Sequence, residues 1–265
     1  MAPIKTNNPY ASYFDFFSRS GTDAVGAAKV TYIPSIALAH SSSPYIAVYP
    51  WDSGFGVKYA DPSTLPTGTG YGVAFSPDGA NIAVSHNSSP YISAYPWSGS
   101  GFGAKYADPS TLPTGRGWIP KFSPDGADLA VAHISSPYIS VYPWSSGFGT
   151  KYANPSTLPT GTGYSVDFAP DGNTIAVAHI SSPYISVYPW SGSGFGTKYA
   201  NPATLPTNIG RGIAFSPAGA DLAVAHSTSP YISVYPWSSG FGTKYANPST
   251  LAAGDGQGVA FSPAA

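Results

Sequence analysis

The sequence predicts an all-β fold, a five-bladed β-propeller, from two periodic features. A histidine that ends a short apolar run recurs five times at spacings of 46 or 47 residues, at His40, His86, His133, His179 and His226. The tripeptide Tyr-Pro-Trp recurs five times at the same spacings, ending at Trp51, Trp97, Trp144, Trp190 and Trp237. A period of about 40 to 50 residues rich in short strands is typical of a propeller in which each repeat forms one four-stranded blade.

The composition limits the function classes that the chain can serve. Its 265 residues carry a net charge of -1, and only 9% of them are charged. The lysines are spread one per repeat, so we expect no nucleic-acid partner. There is no cysteine, which excludes disulfides and thiolate metal sites. No run approaches the roughly 18 apolar residues of a membrane span, and the first ten residues lack a signal peptide's apolar region, so we expect synthesis in a cytoplasm and no membrane insertion.

The second repeat shows how one blade is built. Residues 72–76 alternate as an innermost strand A, and Pro77, Asp78 and Gly79 provide the turn that follows. Residues 81–86 form strand B, with large apolar and small side chains on opposite faces, as a strand packed between two blades requires. Residues 91–95 form strand C between two prolines, and residues 102–107 form an outer strand D.

Closure of the ring follows from counting strands. Strands B, C and D occur five times, whereas strand A occurs up to six times, ending with residues 258–262. We expect this last segment to supply strand A to the blade whose other strands lie within residues 36–66, which would remove an open sheet edge. The predicted domains are an N-terminal arm, residues 1–28, and the propeller, residues 29–265.

A family resemblance rests on three recurring sequence motifs, VAFSPDG, IAVSH and PYISVYPW. Over residues 29–265 they resemble WD-repeat and YVTN-type β-propeller repeats, although a Gly-His dipeptide is missing before strand A and Pro-Trp replaces Trp-Asp. The arrays are also similar to repeat proteins among the structural genes of tailed phages. This resemblance implies a virion component on the exterior of a particle, in contact with other virion subunits or with a glycan or protein of a host surface.

The N-terminal arm carries an aromatic stripe at helical spacing: Tyr10, Tyr13, Phe14 and Phe17. One interpretation is a short arm packed on the chain's own propeller. The other is an anchor that docks on a neighbouring assembly subunit, because so many aromatic side chains are costly to leave in water. We expect the second interpretation, in which the aromatic stripe anchors the chain to a neighbouring subunit.

The recurring histidines and tryptophans each allow two interpretations. Histidines on strand B lie too far apart to share a metal ion, so we expect no metal and no cofactor. Each ring either bonds to its own B–C turn or contributes to a surface site, and we expect the first. The tryptophans are typical of an inter-blade core. The alternative is that they form equivalent sugar-stacking platforms, which would make the protein a multivalent lectin.

The most informative residues are those that differ between otherwise matching repeats, at the loop that enters strand A. In a propeller the D–A and B–C connections share one face, so these residues should surround the axial mouth. Either these residues diverged neutrally because the loop tolerates substitutions, or they form one asymmetric binding site. The predicted binding set is Tyr71, Trp118, Tyr164, Arg211, Gln257, Arg116, Lys121 and Asp167.

From these features we expect a non-enzymatic structural or surface-displayed binding protein, with the lectin as the alternative. No paired carboxylates, nucleophile motif or phosphate-binding loop stands out, so no catalytic residue is predicted. An enzyme would have to act through Asp167, Lys121 and Arg211.

Overall fold

The computed structural model describes residues 34–262, which contain fourteen β-strands and no helix. The strands are β1 (Ser35–Ala39), β2 (Ile46–Pro50), β3 (Gly70–Phe75), β4 (Asn81–His86), β5 (Ile92–Pro96), β6 (Gly117–Phe122), β7 (Asp128–His133), β8 (Ile139–Pro143), β9 (Gly163–Phe168), β10 (Thr174–His179), β11 (Ile185–Pro189), β12 (Gly210–Phe215), β13 (Asp221–His226) and β14 (Ile232–Pro236). None of the described residues forms a helix that could cross a membrane.

The strands form five small antiparallel sheets in chain order, which we number as blades 1 to 5. Blade 1 contains β1 and β2, and blades 2 to 5 each contain three strands. Within each of these four blades, strands A, B and C follow one another as a meander, for example β3, β4 and β5. The inner strands β3, β6, β9 and β12 lie side by side. This is the propeller-type arrangement that the period predicts.

The alternation of strand B explains how the blades pack. In blade 2, Ile82 and Val84 are fully buried and face blade 1, where they pack against Ile46 and Val48. The small side chain of Ala83 faces the opposite way and contacts the large apolar side chains of blade 3. Large side chains of one blade therefore fill the space left by small side chains of the preceding one, which gives the close packing that a core requires.

The expectation of four full strands per blade needs correction. The outer segment of each blade makes one isolated bridge with the end of strand C, such as Trp97 with Phe102. Two backbone bonds extend it in blade 2: Gly103 N donates to Pro96 O at 2.8 Å, and Tyr106 N donates to Ala94 O at 2.9 Å. Proline has no N–H with which to return the first bond, so a regular ladder does not continue here.

The expected closing strand is also absent from the sheet that it was predicted to complete. Within residues 34–262, β1 pairs with β2 alone, and residues 258–262 are not in a strand. These residues lie beside blade 5 instead, where Gly256 N donates to His226 O at 3.1 Å. The predicted domain boundary after residue 28 and the aromatic stripe Tyr10, Tyr13, Phe14 and Phe17 lie outside the described residues.

Candidate functional site

A β-bulge opens the inner strand of each three-stranded blade. In blade 2, Gly70 pairs with His86 and Gly72 pairs with Ser85, so Tyr71 is left over between them. The same shift occurs at Tyr164 in blade 4 and Arg211 in blade 5, and in blade 3 it spans Trp118 and Ile119. A bulge redirects the side chain of the extra residue. The bulged residues are the ones that differ most between the repeats.

Glycines beside the bulges allow neighbouring blades to approach. A Cβ atom added at Gly72 would lie 2.4 Å from the backbone oxygen of Trp118 in the next blade. A Cβ atom added at Gly163 would lie 2.4 Å from the backbone oxygen of Tyr138 in the preceding blade. Only a residue without a Cβ fits such contacts, so the glycines set how closely the bulges stand around the axis.

One cavity of about 290 Å³ lies where the bulges meet. We call it the axial-mouth cavity. Its lining residues are Tyr71, Trp118, Ile119, Tyr164, Ser165, Arg211, Gly212, Ile213, Gln257, Gly258 and Val259. Five residues of the predicted binding set therefore line a single space, although they come from four blades and the C-terminal segment.

The aromatic rings of this cavity form a continuous row with two guanidinium groups. Arg211 lines the cavity, whereas Arg116 of the predicted binding set lies outside its lining. The ring centroids of Tyr71 and Trp118 are 4.8 Å apart, and those of Trp118 and Tyr164 are 5.0 Å apart. The guanidinium carbon of Arg116 lies 4.5 Å from the ring centroid of Trp118 and 5.0 Å from that of Tyr71. The guanidinium carbon of Arg211 lies 5.9 Å from the ring centroid of Tyr164. Both cations lie within the distance at which an aromatic face attracts them.

Several hydrogen-bond donors of this row lack an acceptor. Among the described residues, the buried Nε of Arg116, Nε1 of Trp118 and Nε of Arg211 have no hydrogen-bond partner. A carboxylate oxygen of Asp255 lies 3.8 Å from an Arg211 nitrogen. A buried donor without a partner is costly, so the unpaired donors of Trp118 and Arg211, which line the cavity, favour a ligand that presents acceptor oxygens.

Lys121 and Asp167 lie apart from the lining of the cavity. The ammonium group of Lys121 is 2.9 Å from one carboxylate oxygen of Asp167, and the other oxygen accepts a bond from Phe215 N at 2.9 Å. Asp167 is buried, with 7% of its surface exposed. This carboxylate thus connects the inner strands of blades 3, 4 and 5. A binding role for Lys121 and Asp167 stays a prediction.

The recurring histidines bond within their own blades, as expected from the sequence. His86 Nδ1 lies 2.8 Å from Ser88 O in the B–C turn, and its Nε2 lies 3.0 Å from Ser93 Oγ. A carbonyl can only accept, so Nδ1 carries the proton and Nε2 accepts from the serine. Burial lowers the pKa of His86, His133 and His179 to about 4. No cluster of potential metal ligands occurs within residues 34–262.

Four of the five Tyr-Pro-Trp tryptophans lie in the inter-blade core. Trp190 is 3% exposed, and its Nε1 donates to Asp128 Oδ2 at 2.9 Å. Trp51 in blade 1 differs, with 39% of its surface exposed. A sugar cannot stack on the faces of these four tryptophan rings, because the rings are buried. A separate groove of about 330 Å³ is lined in part by Tyr106 and Phe148.

Sequence comparison of the repeats found the side chains of the cavity but not the bulges that orient them. The bulges do have a sequence signal, because a glycine stands on both sides of Tyr71, Arg211 and Gln257. Isolated glycines in a strand pattern indicate a bulge or a close backbone approach. Ile119, Ser165 and Val259 were missed because nothing in their residue type marks them as lining a cavity.

Fold and cavity together define a propeller-type β fold with one cavity where the bulges of its inner strands meet. No known family matches the chain, and no curated protein matches it. Its structure is similar to the crystal structure of "a putative 6-phosphogluconolactonase" from Bacteroides uniformis, with a TM-score of 0.58 and 19% sequence identity. The matched region covers 75% of this chain and 62% of the other chain.

The comparison supports the propeller fold and corrects one expectation. The sequence led us to expect a protein without enzymatic activity, whereas the structural neighbour bears the name of an enzyme. That exclusion was therefore wrong. At 19% identity the similarity shows the fold alone. The resemblance to WD repeats and to phage structural proteins stays a prediction.

Proposed function

We propose that the chain is a ligand-binding module with one asymmetric site, the axial-mouth cavity, and that its ligand is a small oxygen-rich molecule such as an acidic sugar. The observation that carries this proposal is the convergence of unlike side chains, Tyr71, Trp118, Tyr164, Arg211 and Gln257, in one cavity of about 290 Å³. A volume near the lower end of ligand pockets suits one small molecule.

The chemistry of the site favours this ligand class. The unpaired donors of Trp118 and Arg211 need acceptor oxygens, which a carboxylate, a phosphate or sugar hydroxyl groups would supply. The aromatic faces of Tyr71 and Tyr164 suit the apolar face of a sugar ring. Beside the cavity, the carboxylate of Asp255 lies 3.8 Å from an Arg211 nitrogen.

The proposed setting is the exterior of a virion, where such a site would contact a host-surface glycan or protein. This part of the proposal rests on the resemblance of the repeats to those of phage structural proteins. The N-terminal arm would hold the module to other virion subunits.

A test of the site uses two variants, Trp118→Ala and Arg211→Ala. An array of acidic and neutral glycans, supplemented with 6-phosphogluconate, first identifies a bound compound. Each variant should then weaken its binding at least tenfold, because a desolvated charged or aromatic contact is typically worth more than about 1.4 kcal/mol. The measurement is calorimetric titration.

Lys58→Ala is the matched control for the loss of a positive charge. Lys58 forms an exposed ion pair with Asp61 on the outer segment of blade 1, so its loss should change binding less than twofold. Binding that is equally strong in Trp118→Ala, Arg211→Ala and Lys58→Ala would reject the axial-mouth cavity as the site.

The second candidate is hydrolysis of a sugar lactone, which the similarity to a protein named as a 6-phosphogluconolactonase favours. Asp167 is its candidate residue, because it is a buried carboxylate on an inner strand. Acid release from 6-phosphogluconolactone, measured above the spontaneous rate, tests this candidate. Activity that persists unchanged in Asp167→Asn would show that this carboxylate does not carry the reaction.

A further inference from the structure

Each junction between two blades contains the same aromatic pair, a tyrosine from the outer segment of one blade and the tryptophan of the next. The rings meet edge to face with centroids 5.0 to 5.3 Å apart. The four pairs are Tyr59 with Trp97, Tyr106 with Trp144, Tyr152 with Trp190, and Tyr199 with Trp237. Both members of a fifth pair exist in the chain, Trp51 in blade 1 and Tyr245 in blade 5, but they are not paired with each other.

The two ends of the blade array expose the matching halves of one more junction. On blade 1, Trp51 is 39% exposed and Leu38 is 54% exposed, whereas their counterparts Trp97 and Val84 in blade 2 are 6% and 0% exposed. On blade 5, Tyr245 is 50% exposed. The end faces are thus copies of the surfaces that already pack together between neighbouring blades.

The backbone at the two ends of the blade array also corresponds to the two halves of one more junction. Residues 258–262, GVAFS, are identical to residues 72–76, and the latter lie mostly in the inner strand that pairs with β4. Gly256 N donates to His226 O of blade 5 just as Gly70 N donates to His40 O of blade 1. Residues 258–262 therefore stand where strand A of a following blade would begin, while β1 is a strand B with no strand A among the described residues.

We propose that copies of this chain associate head to tail, with the blade 5 face of one copy packed on the blade 1 face of the next. Tyr245 of one copy then stacks on Trp51 of the next copy, and residues 258–262 pair with β1. By the register of blade 2, Ala260 stands opposite Ala37 across this junction. The contact joins two different surfaces, so it produces a ring or a filament of copies.

Leu38→Lys tests the junction because it places a charge where the large apolar side chains would meet. The unmodified chain should sediment as oligomers whose size grows with concentration, and Leu38→Lys should raise the dissociation constant at least 100-fold. Val57→Lys adds the same charge on the same blade at a residue that is 90% exposed, and should associate like the unmodified chain. Circular dichroism verifies that both variants are folded.

Cysteine cross-linking distinguishes association from closure within one chain and does not depend on Leu38. The chain has no cysteine, so introduced thiols can react only with each other. Ala37→Cys mixed with Ala260→Cys should give a disulfide-linked dimer on oxidation, whereas Val57→Cys mixed with Ala260→Cys should not. As a second arm, Ala37→Cys and Ala260→Cys are combined in one chain. A disulfide that forms only within this double variant, or monomers at all concentrations, would overturn the proposal.

Discussion

Lowering the pH from 8 to 5 should reduce the free energy of unfolding by about 6 kcal/mol, a large share of the total for a domain of this size. Three histidines cause most of this loss: His86, His133 and His179. Each is buried, and burial lowers its pKa from 6.5 to about 4. At pH 5 these histidines therefore bind protons in the unfolded chain but stay mostly neutral in the folded chain.

The sign and the pH range follow from those values. Above pH 6.5 the histidines are neutral in both states, and their contribution to stability is fully present. Between about pH 6.5 and pH 4 only the unfolded state is protonated, so stability falls as the pH falls, by about 2 kcal/mol per histidine at pH 5. Asp128 acts in the opposite direction, because burial raises the pKa of its carboxyl group.

Urea denaturation at a series of pH values measures this effect. The variant His133→Asn should lose about a third of the pH dependence between pH 8 and pH 5, whatever its stability at pH 8. If the unmodified chain has the same free energy of unfolding at pH 5 as at pH 8, the assignment of neutral buried histidines is wrong.

The second large effect is expected for Gly163→Ala, which should lower the free energy of unfolding by at least about 3 kcal/mol. The new Cβ would lie 2.4 Å from the backbone oxygen of Tyr138 and 3.3 Å from the Cβ of Ala132, both in the preceding blade. A backbone oxygen cannot move aside like the end of a long side chain, so the two blades would have to separate.

Gly54→Ala is the matched control for Gly163→Ala. Its Cβ would meet no atom within 4 Å, so the change should alter stability by less than about 0.5 kcal/mol. Thermal or urea denaturation at pH 8 measures both variants. Equal stability of the two variants would contradict the close blade contact at Gly163.

The sequence predicted the strands well because each blade repeats the same local rules. The alternation of residues 81–86 recurs in all five repeats and the Pro-Asp-Gly turn in three of them, so several copies support one assignment. It predicted the outer strands less well. Pro96 interrupts the ladder because it has no N–H to donate to the neighbouring outer segment. The pattern of one strand does not show whether its neighbour requires that N–H.

Ring closure could not be predicted for a different reason. The repeat specifies how one blade packs on the next, but small changes in the angle at each junction accumulate over five blades. Leu38 and Tyr245, at the two ends of the array, are 54% and 50% exposed. A segment such as residues 258–262 can complete a sheet in its own chain or in another copy with the same sequence.

Part of the axial-mouth cavity could be predicted from the sequence. Tyr71, Trp118, Tyr164 and Arg211, which were singled out by their divergence, line one cavity in the structure. That they bind a ligand stays a prediction. Asp167 was assigned to the binding set because it replaces an alanine on an inner strand. Its ion pair with Lys121 and its bond to the backbone of Phe215 depend on the spacing of three strands, which the sequence does not give.

The stoichiometry of ligand binding tests the central claim most directly. One asymmetric site assembled from unlike residues of several blades must bind one ligand per chain, whereas equivalent sites on repeated blades must bind several. Native mass spectrometry of the chain with a glycan that binds on the array should show a single ligand per chain at saturation, and none on Trp118→Ala. Four or five ligands per chain, unaffected by that variant, would contradict the account.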